Sequence, residues 1–141
     1  FGYRNERYLK FGWASARLDD VANFIPARFT APLVCLAAAV LHRRGCDSFR
    51  IFVRDARNHP SPNAGLAEAA VAGALGVQLG GLNYYSGQPS RKPSIGDAVE
   101  TLGREHIPRA NALMLATSAI FLTACLGIRV LVLLLWQEWG V

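Results

Sequence analysis

The sequence predicts an all-α, polytopic helical membrane protein with about three membrane-associated helices, at residues 24–42, 64–82 and 110–136, and three observations carry that expectation. With 52% hydrophobic and only 18% charged residues and a mean hydropathy of +0.21, the 141 residues are more apolar than an ordinary soluble domain. One run, Ala110 to Trp136, is apolar for 27 residues with a single charge at Arg129. A further run, Ala64 to Leu82, consists almost wholly of small residues spaced for close helix contact.

Taken in order, Tyr3 to Arg17 reads as a surface helix with Tyr8, Phe11 and Trp13 as interfacial anchors. Phe24 to Leu41 carries Pro26, Arg28 and Pro32 in its first half. Only the 13 residues from Phe29 to Leu41 are uninterrupted by charge, which is short for a full span and suits a tilted or partly inserted helix. Arg43 and Arg44 mark the following interface. In Ala64 to Leu82, Gly65, Ala69 and Gly73 recur every four residues, as do Gly76 and Gly80, a face that lets helix backbones touch inside a membrane. Glycine at that density weakens a helix in water, which favours a membrane or tightly packed setting, and the run is read as spanning or re-entrant. Tyr84 to Asp97 is rich in Gly, Pro and Ser and reads as a loop, and Ala98 to Glu105 as a short charged helix. The last apolar run exceeds a hydrocarbon core of about 30 Å at about 1.5 Å per residue, so it spans with tilt. Arg129 is read either as an intramembrane counter-ion or as an arginine reaching the headgroups.

The balance of 15 Lys and Arg against 10 Asp and Glu favours anionic lipid or a phosphorylated ligand. Nucleic acid is not expected, because the arginines are dispersed and no zinc-finger, RRM-like or basic-zipper pattern is present. Cys35, Cys46 and Cys125 are odd in number and far apart, so no disulfide framework is implied. His42 and Cys46 have the spacing to share a helical face, but two ligands do not make a zinc site. The chain opens on Phe1 and runs at once into charged residues, which predicts a fragment of a longer chain.

Polar chemistry concentrates in "RDARNHPSPNAG", Arg54 to Gly65. Ser61 followed by Pro62 fits a helix N-cap with proline at the first helical position, so the small-residue helix begins there. Its N–H groups form an anion cradle, and Gly65 admits a ligand near the backbone. Arg54 and Arg57 add positive charge, Asp55 is placed to hold magnesium or to orient an arginine, and His59 to exchange a proton near neutral pH. An anchoring loop with an ordinary cap explains the same residues. Glu68, one turn into an alanine-rich helix, is expensive unless paired or used. Asp19 and Asp20, with Asn23 and Arg28, form a second cluster that suits magnesium or the start of a helix. No GxxxxGK[ST], HExxH, GxSxG or paired CxxC motif is present.

The segments "GYRNERYLKFGWASARLDDVANFIPAR", "RDARNHPSPNAGLAEAAVAGALGVQLGG" and "NYYSG", in that order, resemble the membrane-bound adenosylcobinamide-phosphate synthase family of cobalamin biosynthesis. The resemblance implies ATP- and magnesium-dependent amide formation between adenosylcobyric acid, a cobalt-corrin, and (R)-1-aminopropan-2-ol or its phosphate. By motif position it carries over Asp19, Asp20, Asn23 and Arg28, then Arg54, Asp55, His59, Ser61, Asn63 and Glu68, then Asn83, Tyr84 and Gly87. Roles expected on chemical grounds are magnesium or amine ligation for Asp19, Asp20 and Asp55, phosphate clamping for Arg28 and Arg54, and an anion cradle at Ser61 to Gly65. His59, Glu68 and Asp20 are the catalytic candidates, with His59 or Glu68 as acceptor of the amine proton. The resemblance covers only about the second half of a family member, so it implies a missing N-terminal half that adds further membrane helices; it also implies an inner-membrane protein with a cytoplasmic-facing site, and it leaves a homo-oligomer open.

A complete crossing by Phe24 to Leu41 would put the Asp19/Asp20 cluster and the Arg54 segment on opposite sides, so a shared site requires partial insertion. A transporter, or a non-catalytic corrin-binding scaffold, is the rival reading, with Glu68 and Arg129 as pathway charges.

Overall fold

The computed structural model describes residues 9–85 and 87–139. It is mostly helical, as expected, with one hairpin that departs from an all-α fold: α1 (Leu9–Ala22), α2 (Phe24–His42), α3 (Gly45–Asp55), a 3-10 turn (Ala56–Asn58), α4 (Ala64–Leu75), β1 (Leu79–Tyr85), β2 (Gln88–Ile95) and α5 (His106–Trp139). Tyr8 and the side chain of Phe11 lie outside the described residues, whereas Trp13 is exposed, with the Arg17 guanidinium 5.7 Å above its ring.

α1 passes into α2 almost without a break. The Asn23 N–H still reaches the Asp19 carbonyl at 2.9 Å, and the Asn23 carbonyl accepts from Ala27 at 3.0 Å. α2 stops at Arg43, which takes the left-handed conformation (φ 55°), and the chain reverses into α3. His42 and Cys46 therefore sit on different helices rather than sharing a face. α3, which the sequence reading assigned to no element, buries Ser48, Ile51 and Asp55 at helical spacing.

α4 lies between its neighbours, and its small residues act as the spacing predicts. A Cβ on Gly73 would stand 2.7 Å from the Asp47 carbonyl oxygen and the Ser48 Cα, so α3 and α4 touch backbone to backbone. Ser48 Oγ donates to the Ala70 carbonyl at 2.7 Å across this contact. One core joins Ala31, Val34, Cys35, Ala37 and Ala38 of α2 with Ala70, Ala74 and Leu113; a second joins Ile51, Ala56, Ala69, Ala72 and Ile95.

The expected helix over 64–82 is corrected to 12 residues. Gly76 at φ 69° ends α4, and Gly80 and Gly81, also at positive φ, belong to β1. At about 1.5 Å per residue α4 is about 18 Å long, too short to cross a bilayer. The expected loop at Tyr84 to Asp97 is instead mostly the return strand of an antiparallel hairpin, with Tyr85 paired to Gln88. Its exposed residues and prolines hid it, because β2 buries only Ile95.

Residues 98–105 do not form the expected charged helix. The chain there is held by ion pairs, and Val99 and Glu100 both donate their N–H groups to the Gly76 carbonyl, at 3.1 and 2.8 Å. Arg54 donates to both oxygens of buried Asp55 (2.7 and 2.8 Å) and to Asp97 (2.8 Å), and Asp55 also accepts the Gly96 N–H at 2.8 Å. Arg50 reaches Asp97 at 3.0 Å, and Glu100 meets Arg109 at 2.8 Å. The Arg54 hydrogen bonds hold the Asp55 carboxyl below the usual carboxylate range against the opposing effect of burial.

α5 packs only near its start, through Leu113 and Thr117. Every residue from Phe121 to Gln137 is exposed, although the segment is almost wholly apolar. By length and composition, α2 and residues His106–Gln137 are two helices able to cross a membrane. Arg129 and Trp136 lie on the projecting part; the side chain of Trp139 is outside the described residues.

Two outcomes follow from this packing. Gly73→Ala lowers the stability of the full-length protein in detergent by about 1–3 kcal/mol through overpacking, whereas Gly127→Ala in α5, with open space around the new methyl, does not; thermal melts distinguish the two. Because its folded pKa is depressed, Asp55 contributes stability that is complete above its unfolded value near 3.8 and is lost as pH falls from there. Asp55→Asn therefore lowers stability by about 1–3 kcal/mol at neutral pH and flattens the acid limb of a denaturation profile.

Candidate active site

The turn before α4 is built from side chains that bond to backbone. His59 Nδ1 accepts the Ser61 N–H at 2.9 Å, and Ser61 Oγ accepts from the N–H groups of Asn63 and Ala64 at 3.4 and 3.3 Å. Ser61 thus does the work of a cap, while Asn63 occupies the N-cap position with its side chain turned away from its own helix. That side chain is buried and bridges two distant segments: Nδ2 donates to the Asp20 carbonyl at 2.7 Å, and Oδ1 accepts from Arg28 Nη1 at 3.3 Å. Arg28 also donates to the Phe24 carbonyl at 2.8 Å and lies 3.3 Å over the Phe24 ring. Asn23 Nδ2 donates to Asp19 Oδ1 at 2.8 Å.

Asp19, Asp20, Asn23 and Arg28 therefore lie at the same end of the fold as the Asn63 turn. The concern that a complete crossing by α2 would separate the two clusters is corrected, because α3 and the 3-10 turn bring the chain back beside the start of α2.

Beside this joint, His59, Glu68, Asn83 and Lys92 line a cleft of about 120 Å³, together with Asn58 and Gly80. His59 Nε2 is 3.6 Å from Glu68 Oε2. His59 Nδ1 stands 2.9 Å from the Ser61 nitrogen and 3.3 Å from the Ser61 carbonyl oxygen; the shorter contact favours Nδ1 as acceptor, which places the proton of a neutral ring on Nε2, on the side of the carboxylate. The free lone pairs of this dyad therefore belong to Glu68, which is half exposed to the cleft. The Ser61 N–H orients His59, whose Nε2 stands beside that carboxylate at 3.6 Å, beyond a formed hydrogen bond.

Other expected site residues have different positions. Arg54 and Asp55 lie outside the cleft and are committed to each other and to the 96–97 segment, so Asp55 orients an arginine rather than a metal. Gly65 is buried against the Ala56 carbonyl and His59, so the missing side chain admits the protein's own backbone and not a ligand. With Ser61 on two N–H groups and Gly65 covered, the expected cradle at Ser61 to Gly65 is closed. Tyr84 lies on β1 opposite Pro89, its side chain outside the described residues. Among the described residues no three His, Cys, Asp or Glu side chains converge as a metal site, so Asp19, Asp20 and Asp55 are not one cage. The sequence reading missed Lys92 and the cleft role of Asn58. Composition held a signal for the first: only Lys10 and Lys92 are lysines among 15 Lys and Arg.

Residues 1–114 match the family model described as CobD/Cbib protein. The cobalamin biosynthesis protein CobD of Geobacter metallireducens is 61% identical over 101 residues, covering 72% of this chain and 32% of that protein. Its namesakes from Clostridium perfringens and Klebsiella pneumoniae are 46% and 47% identical over 92% and 91% of this chain, and 41% and 40% of their own lengths. The chain thus spans about a third to two fifths of the length of these curated relatives. No solved structure matches. With the family model matching residues 1–114 and relatives 46–61% identical over 72–92% of the chain, the chain belongs to the CobD/Cbib protein family.

Proposed function

We propose that this chain supplies part of the active site of an adenosylcobinamide-phosphate synthase, joining adenosylcobyric acid to (R)-1-aminopropan-2-ol or its phosphate in an ATP-dependent amide synthesis. The observation that carries this reading is the His59–Glu68 pair in a small cleft, within a chain whose relatives are named for cobalamin biosynthesis. In such a reaction the amine nitrogen attacks the carbonyl carbon of an activated carboxyl. The C–N bond forms, the C–O bond to the phosphate leaving group breaks, and the amine proton passes to a base. Glu68 has the available lone pairs for that proton, and His59 Nε2–H steadies the carboxylate that receives it. Asn83 and Asn58, which also line the cleft, offer hydrogen bonds to the amine or the carbonyl.

The proposal assigns this chain's residues to the amine and the activated carboxyl. The described carboxylates do not converge as a magnesium site. α2 and α5 lie in the inner membrane, which gives the apolar surface of residues 121–137 a lipid environment, and the cleft faces the cytoplasm where ATP is available. Glu68 opens to a cleft beside a histidine rather than to a path along a helix, which favours catalysis over transport.

In the full-length protein assayed for ATP-dependent cobinamide product, Glu68→Gln reduces kcat by about a hundredfold to ten-thousandfold, the range for a lost general base. His59→Ala costs less, and Asp20→Asn little, since Asp20 meets Asn63 through its backbone carbonyl. Undiminished turnover in Glu68→Gln removes the proposed base. Transport or tight corrin binding without product in the unaltered protein supports the rival readings.

A further inference from the structure

The hairpin is not regular. Leu79 pairs with Ile95 but Gly81 pairs with Lys92, so Gly80 faces two residues, Pro93 and Ser94. Gly80 sits at φ 88°, and a Cβ there would run into the Pro93 carbonyl oxygen, so the bulge requires glycine. The bulge has a consequence for side-chain direction. In a regular strand, residues 92 and 95 are an odd number apart and point to opposite faces. The extra residue brings them to one side, and both Lys92 and Ile95 line the cleft with His59 and Glu68.

Lys92 is the only Lys or Arg lining that cleft among the described residues, where Glu68 is the only acid. An anionic group entering beside Glu68 is repelled by its carboxylate unless a cation stands close by. The cleft's size of about 120 Å³ suits one substituent and not a whole cofactor-sized molecule. A broader groove of about 500 Å³ runs along the same hairpin past Gly81, Leu82 and Arg91, and Lys92 and Pro93 belong to both. We propose that Lys92, turned into the cleft by the β2 bulge, receives the carboxylate or phosphoryl oxygen of a substrate whose bulk rests in the adjoining groove. As a recognition residue for the reaction this inference rests on the amide-synthesis reading; as an anion site it stands on the hairpin geometry.

Reductive methylation of the full-length protein, read by peptide mass spectrometry at Lys92 and at Lys10 in α1, tests the site without turnover. At equal ionic strength, inorganic phosphate or acetate slows methylation of Lys92 about fivefold relative to chloride, as a charge-assisted contact requires, and leaves Lys10 unchanged. Protection by phosphate alone assigns a phosphoryl group, and by acetate a carboxylate; equal rates in all three salts overturn the proposal. In the amide-synthesis assay, Lys92→Met raises KM for the anionic substrate about tenfold to a hundredfold, as expected for a lost charged hydrogen bond, with kcat within about threefold and partial recovery in Lys92→Arg. Unchanged KM in Lys92→Met also overturns it. If the unaltered protein makes no amide, the reaction falls while the methylation result still decides whether Lys92 binds an anion.

Discussion

The backbone of α4 touches the chain on both sides, and the rest of the site depends on that contact. Gly73 and the alanines beside it let α3 lie directly on the helix, and Gly65 lets the 3-10 turn and His59 fold over its first turn. A helix of larger residues would hold the turn away and leave His59 far from Glu68. Burying alanine removes little apolar surface per residue, so the stability of such a contact comes from close packing and from hydrogen bonds that cross it, such as Ser48 to the Ala70 carbonyl.

The same economy of space makes Asn63 the joint of the molecule. One buried amide satisfies the Asp20 carbonyl and receives Arg28, tying the α1–α2 junction to the helix that carries Glu68. Such an amide is costly to leave without partners, so the geometry of three segments is set together. At the opposite end of α4, Gly76 hands its carbonyl to residues 99 and 100, and the Arg54–Asp55–Asp97 pairs hold the segment leading to α5. Beyond Ile120, α5 leaves this packed body and presents apolar side chains all round, a surface suited to lipid or to another part of a longer protein.

α2, α5 and the start of α4 were legible because hydropathy, charge placement and a Ser-Pro cap report local physics. The close-contact role of Gly65, Ala69 and Gly73 was legible for the same reason, although for Gly65 the object of that contact is the protein itself rather than a ligand. What escaped was long-range. α3 is amphipathic at helical spacing, but it is short and polar on average, and its buried Ser48 and Asp55 read as surface residues until the packing is seen. The hairpin hides because its strands face solvent on nearly every side, and Lys92 gains its position only through a bulge that pairing alone reveals. Arg54 and Asp55 illustrate the reverse error: charged neighbours in a polar stretch look like a ligand site until Asp97, 42 residues beyond Asp55, is seen to complete the pair.

The central claim is that the Asp20 end of α1–α2 and the turn before α4 form one site on one side of the membrane. Single cysteines at position 20 and at position 58, in a full-length protein otherwise free of cysteine, can be labelled with an impermeant maleimide in right-side-out and inside-out vesicles. The structure predicts that both react from the same side of the vesicle membrane; labelling from opposite sides would contradict it.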